Sequence, residues 1–462
     1  MMASALTLSG VLHTGARKHL YCGDGLEAAG LLVCARAPGA RLRLLARSFI
    51  AVPYDECGER TGDRITWPGR YLEAANDTAE AEGLAVIAIH SHPGGLFGFS
   101  ALDDSSDRIV MPSLFHAGGS IHGSAVMTPD GAIRARIYDA ALRVQNVGLV
   151  NVVGDDLKYW WSNGVITRRR PLAFTSGMTD ELGRLTAVVI GVSGTGSVVA
   201  EQLCRLGFGL VILIDFDRVK HKNLNRILNT RLADADKERL KVEAFADAVV
   251  LYRGHGVAVP IARPITTREA VEAAASADVI FSCVDTLEAR QVSDQMSAAF
   301  LQPLFDVGVT IPVRKSTDGP AITDVCGRID YVQPGGSTLQ DRGVYTPELL
   351  RAEYLRQTAP DAHRQEIEAG YIKGLAEQAP SVITLNMRAA SACVNEFIAR
   401  AFPFRHDPNR RYARTEFSLA ACEEEYTSED AFSASSNPWL ARGDLEPLLG
   451  LPALKRPRRS AA

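Results

Sequence analysis

Two hydrophobic–polar rhythms divide the chain. Up to about residue 145, short apolar runs at 30–34, 42–51, 84–90 and 133–138 alternate with polar, glycine-rich turns. Runs of this length between turn residues predict strands, so residues 1–150 read as one small mixed α/β domain. From residue 185 the rhythm changes. Apolar strands at 186–191, 210–215, 279–283 and 303–307 alternate with helical segments at 197–206, 238–250, 287–299 and 382–400. Strands that alternate with helices predict a parallel, helix-covered sheet, here a Rossmann-like doubly wound domain over 176–405. Residues 151–175, with the charge run Arg168, Arg169, Arg170, read as a linker, and the proline-dotted stretch 406–462 reads as an irregular tail.

Composition narrows the class. A chain of 462 residues exceeds one ordinary core, and 46% hydrophobic with 23% charged residues is typical of a soluble globular protein. The net charge of -4 gives no general attraction to nucleic acid or acidic membranes. A basic cluster, Lys455, Arg456, Arg458 and Arg459, reads as a solvated end. No apolar run has the length of a membrane span, and the opening residues lack the pattern of a secretory signal. The eight cysteines are scattered with no Cys-x-x-Cys pair, which fits a reducing cytoplasm.

The first concentration of chemistry is His90-Ser-His92-Pro, followed by a glycine-rich loop, Ser100 and Asp103. His90 ends an apolar strand, and residues i and i+2 of a strand share a face, so both imidazoles can reach one metal. Two histidines and a carboxylate suit Zn²⁺ with one position left for water, whose pKa the metal lowers. Such a site needs a carboxylate that shuttles protons without being a ligand, and Glu27 is the candidate. Each element has a bland reading: Ser100-x-x-Asp103 is also a capping box variant, and His-x-His occurs on surface strands. Their joint spacing favours the metal site.

Glu27, His90-x-His92-Pro, seven intervening residues, Ser100 and Asp103 together resemble the JAB/MPN metalloprotease family and its JAMM signature, over residues 10–140. The resemblance implies that His90, His92 and Asp103 bind zinc. It also implies that Glu27 is general base and acid, and that Ser100 stabilises the oxyanion. Family members cleave at the C-terminus of ubiquitin, ubiquitin-like or sulfur-carrier proteins. No signature residue is missing, so an active hydrolase is expected.

The second concentration begins at Gly191-Val-Ser193-Gly194-Thr-Gly196, between a strand and a helix. Glycines bring backbone N–H groups close to phosphates at a helix N-terminus. The strict Gly-x-Gly-x-x-Gly spacing is not met, and a tight structural turn fits about as well. Asp215, 24 residues on, ends the next strand where a ribose hydroxyl would lie. To this point an NAD-dependent dehydrogenase fits equally. Asp217, Asn223, Arg226, Lys241 and Asp285 separate the readings, because cations hold a triphosphate and an acid can hold Mg²⁺.

Residues 175–400 are similar to the superfamily of ubiquitin-activating (E1) enzymes and the ThiF/MoeB-type adenylyltransferases. The resemblance implies that Gly191, Gly194 and Gly196 approach ATP and that Asp215 contacts its ribose, with Asp217 beside it. By the same resemblance, Asn223, Arg226 and Lys241 grip the phosphates, while Asp285 places Mg²⁺ and the reacting carboxylate. Arg168 to Arg170, or Arg184, would supply an extra arginine. The implied reaction is adenylation of a protein C-terminus.

The chain departs from that family in two respects. Many members hold a structural zinc through two Cys-x-x-Cys pairs, but Thr338 and Asp341 stand where two cysteines are expected, and Cys422 is followed by Glu425. No zinc is expected there. No thioester cysteine can be assigned either: Cys326 and Cys422 are candidates, while Cys283 and Cys393 read as core. Direct transfer to a cysteine or an oxygen nucleophile of a partner stays open.

The reading is therefore a bifunctional enzyme that processes a ubiquitin-like protein and adenylates its C-terminus. Conjugating-enzyme partners and a homodimer through the 382–400 helix are expected, and bacterial defence systems offer an analogy only. The alternative is processing and adenylation of a sulfur carrier for biosynthesis. A non-catalytic scaffold and a dehydrogenase are weaker.

Overall fold

The apolar runs of the first 160 residues pair into a single nine-stranded sheet. The computed structural model describes residues 2–116, 118–162, 170–316, 319–360 and 382–456. They fall into two compact units, one built mainly from residues 1–170 and the other mainly from 171–437.

In the first unit the strands are β1 (Ala5–Ser9), β2 (Ala29–Arg36), β3 (Arg43–Ala51), β4 (Glu59–Arg60), β5 (Ile65–Thr66), β6 (Ala85–Ser91), β7 (Ile121–Met127), β8 (Ile133–Asp139), β9 (Val144–Asn146), β10 (Leu149–Val153) and β11 (Leu157–Trp161). The large sheet runs β11-β10-β1-β3-β2-β6-β7-β8-β9, and β4 pairs with β5 in a separate hairpin. Helix α1 (Gly10–Leu20) covers one face; α2 (Arg70–Glu82) and α3 (Ala101–His116) cover the other. Alternation along the strands fixes this arrangement. Leu32 and Cys34 of β2 and Ile87 and Ile89 of β6 pack with Ala16 and Leu20 of α1. Leu31, Val33 and Val86 pack with Ala75 and Ala79 of α2 and Met111 and Leu114 of α3. His90 has the parity of Val86 and therefore shares its face with α3.

Two boundaries differ from expectation. Residues 151–162 are not linker: β10 is wholly buried and pairs in parallel with β1, and β11 pairs antiparallel with β10. The Asp155–Asp156 turn and the polar Lys158 disguised a hairpin whose strands complete the sheet. The sheet also begins earlier than the first apolar run at 30–34 suggests, because residues 5–9 already form β1 ahead of Glu27.

The second unit has β12 (Thr186–Ile190), β13 (Leu210–Ile214), β14 (Ala258–Ile261), β15 (Val279–Ser282), β16 (Leu304–Thr310), β17 (Val313–Ser316), β18 (Gly319–Ile322), β19 (Cys326–Val332), β20 (Arg414–Ser418) and β21 (Glu423–Thr427). Its helices are α4 (Ser176–Leu182), α5 (Gly194–Leu206), α6 (Leu232–Asp236), α7 (Lys241–Arg253), α8 (Arg268–Ala274), α9 (Leu287–Phe300), α10 (Pro347–Thr358) and α11 (Ile383–Ala401). The sheet runs β14-β13-β12-β15-β16-β19-β20-β21, parallel through β16 and antiparallel beyond. The doubly wound core is thus extended by three antiparallel strands, two of them from the stretch expected to be an irregular tail. Helix α11 is core to its own unit: Phe397 packs against Phe208, Phe281 and Phe305, with ring centroids 5.5–5.8 Å apart. Its apolar periodicity is therefore used within the unit and gives no reason to expect a dimer seam there. Among the described residues no helix is long and apolar enough to cross a membrane. Arg168, Arg169, Arg458 and Arg459 lie outside the described residues.

Candidate functional site

Strand register builds the first site. Ala29 of β2 pairs with His90 of β6, so Glu27, two residues earlier, lies alongside the end of β6. The backbone of Glu27 is tied to the β4–β5 hairpin: its N–H donates to Thr61 O at 2.7 Å, and its carbonyl accepts from Arg60 Nε at 2.7 Å. Ser91 points to the opposite face, where its Oγ accepts from Ala28 N at 2.8 Å and locks the two strand ends together. One ligand atom each from Glu27, His90 and His92 falls within a 4.8 Å cluster. Asp103 completes the set, with Oδ1 3.0 Å from His90 Nε2 and Oδ2 3.5 Å from His92 Nε2.

The donor set fits a zinc ion. Atoms bound at about 2.0–2.1 Å to one tetrahedral Zn²⁺ stand roughly 3.3 Å apart. The two imidazole Nε2 atoms are 3.0 Å apart, and Asp103 is 3.0 and 3.5 Å from them. His92 Nδ1 lies 2.9 Å from Leu96 O and is placed to donate to it, which leaves Nε2 with its lone pair for the metal. Burial pushes the Glu27 carboxyl pKa up, as suits a group that must both take and give a proton. Burial also opposes ionisation of Asp103, but hydrogen bonds to His90 and His92 outweigh it and hold that carboxyl well below the usual range.

Ser100 is engaged locally. Its N–H donates to Asp103 Oδ2 at 2.5 Å, and its Oγ accepts from Asp103 N at 3.2 Å, a reciprocal cap on α3. The capping reading and the metal reading therefore hold together: the cap fixes the carboxylate that meets the histidines.

The second site forms where β12 ends. Gly191 adopts φ +84°, and a Cβ there would stand 2.8 Å from Cys283 O. At Gly196 a Cβ would come within 1.7 Å of Gly191 O, so α5 can begin this close to the strand only with glycine. A Cβ at Gly194 would strike Asn386 Nδ2 at 2.3 Å and approach Arg226 Cδ at 3.2 Å. The glycine loop is thus enclosed by the segments that carry Cys283, Arg226 and Asn386. Asp215 Oδ2 accepts from Val192 N at 2.8 Å, and its Oδ1 accepts from Asp217 N at 2.8 Å. Lys241, buried at the start of α7, donates to Asp217 Oδ2 at 2.7 Å and lies 3.8 Å from Asp215 Oδ2. Burial raises the Asp215 pKa, with Lys241 acting against it. Asn223 Oδ1 accepts from Lys220 N at 3.1 Å, and Arg226 Nη1 donates to Lys222 O at 3.0 Å, so both shape the connection after β13.

Asp285 is exposed in the turn after β15, on the sheet edge that carries the glycine loop. Arg184 precedes β12, a full strand away from that loop, so within one chain it does not complete the pocket. Asn386 was not singled out from sequence. It is fully buried near the start of α11, and its Oδ1 accepts from Thr195 Oγ1 at 3.2 Å. An asparagine in an apolar helical run was the available signal.

Of the two cysteine candidates, Cys326 opens β19, and burial together with Asp324 pushes its thiol up to about 11. Cys422 is exposed with φ +58° in the turn between β20 and β21. Thr338 and Asp341 are bonded to each other, Thr338 Oγ1 donating to Asp341 Oδ2 at 2.8 Å, and Ser435 Oγ donates to Asp341 Oδ1 at 2.6 Å.

The family described as prokaryotic homologs of the JAB domain matches residues 11–137, and the ThiF family matches residues 168–325. The chain is therefore a fusion of a JAB-type domain with a ThiF-type, E1-like domain. Among curated proteins, it is 29% identical over 169 residues to ubiquitin-like modifier-activating enzyme 5 of Culex quinquefasciatus, covering 34% of this chain and 39% of that protein. It is 30% identical over 174 residues to the enzyme of the same name from Caenorhabditis elegans, covering 34% of this chain and 38% of that protein. The match thus spans about two fifths of those relatives' length. A crystal structure of E. coli MccB with ATP aligns with a TM-score of 0.41 at 17% identity, over 57% of this chain and 68% of that one.

Proposed function

We propose that the first unit is a zinc peptidase or isopeptidase acting at the C-terminus of a ubiquitin-like protein, and that the second adenylates such a terminus with ATP and Mg²⁺. The observations that support this reading are that the Nε2 atoms of His90 and His92 and the Asp103 carboxylate lie 3.0–3.5 Å from one another with Glu27 beside the histidines, and that Asp215 and Asp217, with Lys241, lie beside the 191–196 loop.

In the first unit His90, His92 and Asp103 would hold the metal, which when bound would supply a water of lowered pKa and a Lewis acid for the scissile carbonyl. Glu27 takes a proton at its carboxylate and returns it to the leaving amine. Ser100 assists at the oxyanion while its N–H keeps Asp103 in place. In the second unit Gly191, Gly194 and Gly196 admit the nucleotide close to the backbone, and Asp215 meets its ribose. Asn223, Arg226 and Lys241 would steady the phosphates, and Asp285 would help hold Mg²⁺ and orient the incoming carboxylate. That carboxylate attacks the α-phosphate, forming an acyl-adenylate and releasing pyrophosphate.

The raised thiol pKa of Cys326, beside Asp324, disfavours a thioester on that residue, which leaves the exposed Cys422, or a cysteine or oxygen nucleophile of a partner such as a conjugating enzyme, to take the acyl group. The substrate is a protein with a flexible C-terminal tail, of ubiquitin-like or sulfur-carrier type, and the compartment is the cytoplasm. ATP–pyrophosphate exchange with candidate ubiquitin-like proteins tests the reading. Exchange that needs the partner and disappears in Asp285→Ala supports it; no exchange with any such protein removes the adenylation half.

A further inference from the structure

We infer that Arg136, with Phe99, Asp107 and Ser124, is a positioning device that sets the distance between Asp103 and the two metal-facing histidines. The inference rests on the metal reading above and adds to it residues outside the JAMM signature.

Asp103 reaches the histidines by two routes. One is the connecting loop 93–100, whose Gly94 and Gly98 have open space where a Cβ would stand, while Gly95 takes φ +77°. The loop is tied to His92 at its start, by Gly95 N to His92 O at 2.9 Å and by His92 Nδ1 to Leu96 O at 2.9 Å, ahead of Phe99 and Ser100. The other route runs through helix α3 and the sheet. Asp103, Asp107, Met111 and Leu114 form the buried face of α3. One turn beyond Asp103, Asp107 Oδ2 accepts from Ser124 Oγ at 2.5 Å, from Arg136 Nε at 2.9 Å and from Tyr138 Oη at 2.8 Å. Ser124 and Arg136 are register partners on β7 and β8, and β7 is paired with β6, which carries His90. The guanidinium also bridges to Asp104 Oδ1 at 2.5 Å.

The same side chain closes the first route. Arg136 Cζ lies 3.9 Å from the centroid of the Phe99 ring, the residue immediately before the Ser100 cap. One buried guanidinium thus ties the end of the glycine loop, the first turns of α3 and two strands of the sheet into one frame. Lysine could not do this, because only the planar fork of arginine can stack on a ring while bonding two carboxylates. Outer-shell groups that orient ligands typically change metal affinity by 10–100-fold when removed.

The test is Co²⁺ titration of the full chain, read as affinity and as the visible spectrum of the bound ion, in wild type, Phe99→Leu, Arg136→Lys and Ser124→Ala. Circular dichroism and thermal midpoints monitor folding. We expect Phe99→Leu and Arg136→Lys to weaken Co²⁺ binding about tenfold or more, with an altered spectrum at wild-type helix content. Folded variants with wild-type affinity and spectrum would overturn the positioning role. Should Arg136→Lys fail to fold, Phe99→Leu decides alone, since it leaves every carboxylate bond of Arg136 in place. Wild type that binds no Co²⁺ would instead sink the metal reading itself, and the positioning role with it.

Discussion

Asp103 and Glu27 are both buried carboxylates in one cluster, yet their surroundings divide their work. Asp103 meets both imidazoles, whereas Glu27 is anchored through its backbone to the β4–β5 hairpin. Glu27→Gln should therefore keep the metal and lose the chemistry. The expected result is unchanged zinc content by elemental analysis with cleavage down by about 100-fold or more; a glutamine variant that still cleaves would exclude Glu27 as the proton carrier. In the second site the sharpest single-residue case is Gly196, where a Cβ would overlap Gly191 O at 1.7 Å. Gly196→Ala must push the loop away from its nucleotide position. ATP affinity by calorimetry is expected to fall at least about tenfold, a loss of about 1.4 kcal/mol or more. These residues were legible because short spacings determine them: His-x-His on one strand face, and glycines at a strand-to-helix turn. Arg136 and Asn386 were not, because their roles arise from partners 29 residues (Asp107) and 191 residues (Thr195) away in sequence.

Among elements, the strands and helices with clean periodicity were readable and the hairpins with charged turns were not. Residues 157–161 carry two tryptophans and a lysine and looked like connector; only pairing with β10 reveals them as a strand. Strands β20 and β21 were hidden likewise, since β21 reads Glu-Glu-Glu-Tyr-Thr and is largely exposed. Helix α9 shows how a distant residue adds to a local signal. Thr286 Oγ1 accepts from Ala289 N at 3.4 Å, and the buried Glu353 of α10 accepts from Leu287 N at 2.9 Å and Glu288 N at 3.0 Å besides. Farther along α9, Asp294 accepts from Tyr345 Oη at 2.8 Å, while its buried Oδ1 has no hydrogen-bond partner among the described residues. Burial raises that carboxyl to about 6, above its value of about 3.8 in an open chain. The folded state therefore binds this proton more tightly. The contribution is full below pH about 4 and is lost as pH rises through about 6, an effect of order 1–3 kcal/mol. Asp294→Asn keeps an acceptor for Tyr345 without the charge. Denaturant melts from pH 4 to 7 should show the variant gaining on wild type as pH rises; parallel curves would place the ionised carboxylate comfortably in the native state.

At the level of the whole molecule, the zinc requirement is expected to belong to the first unit alone. Where relatives of the second domain use cysteine pairs, this chain has Thr338 and Asp341 bonded to each other and to Ser435. Beside them, the buried Arg342 bridges Asp330 and Glu429 at 3.1 and 2.8 Å, and Arg414 also reaches Asp330, at 2.9 Å. This network links β19, β20 and the 337–345 segment without cysteine ligands, and removing one partner from such a buried set typically costs about 3–5 kcal/mol. The metal analysis is then simple to state. Zinc should bind at about one ion per chain, and His90→Ala should abolish it. Stripping zinc with a zinc-selective chelator in excess Mg²⁺ should stop cleavage while pyrophosphate exchange continues at its original rate. Loss of exchange on stripping, or zinc retained in His90→Ala, would mean that the second unit holds a metal through other residues. The arginine–carboxylate network would then be an addition to a clasp rather than its substitute.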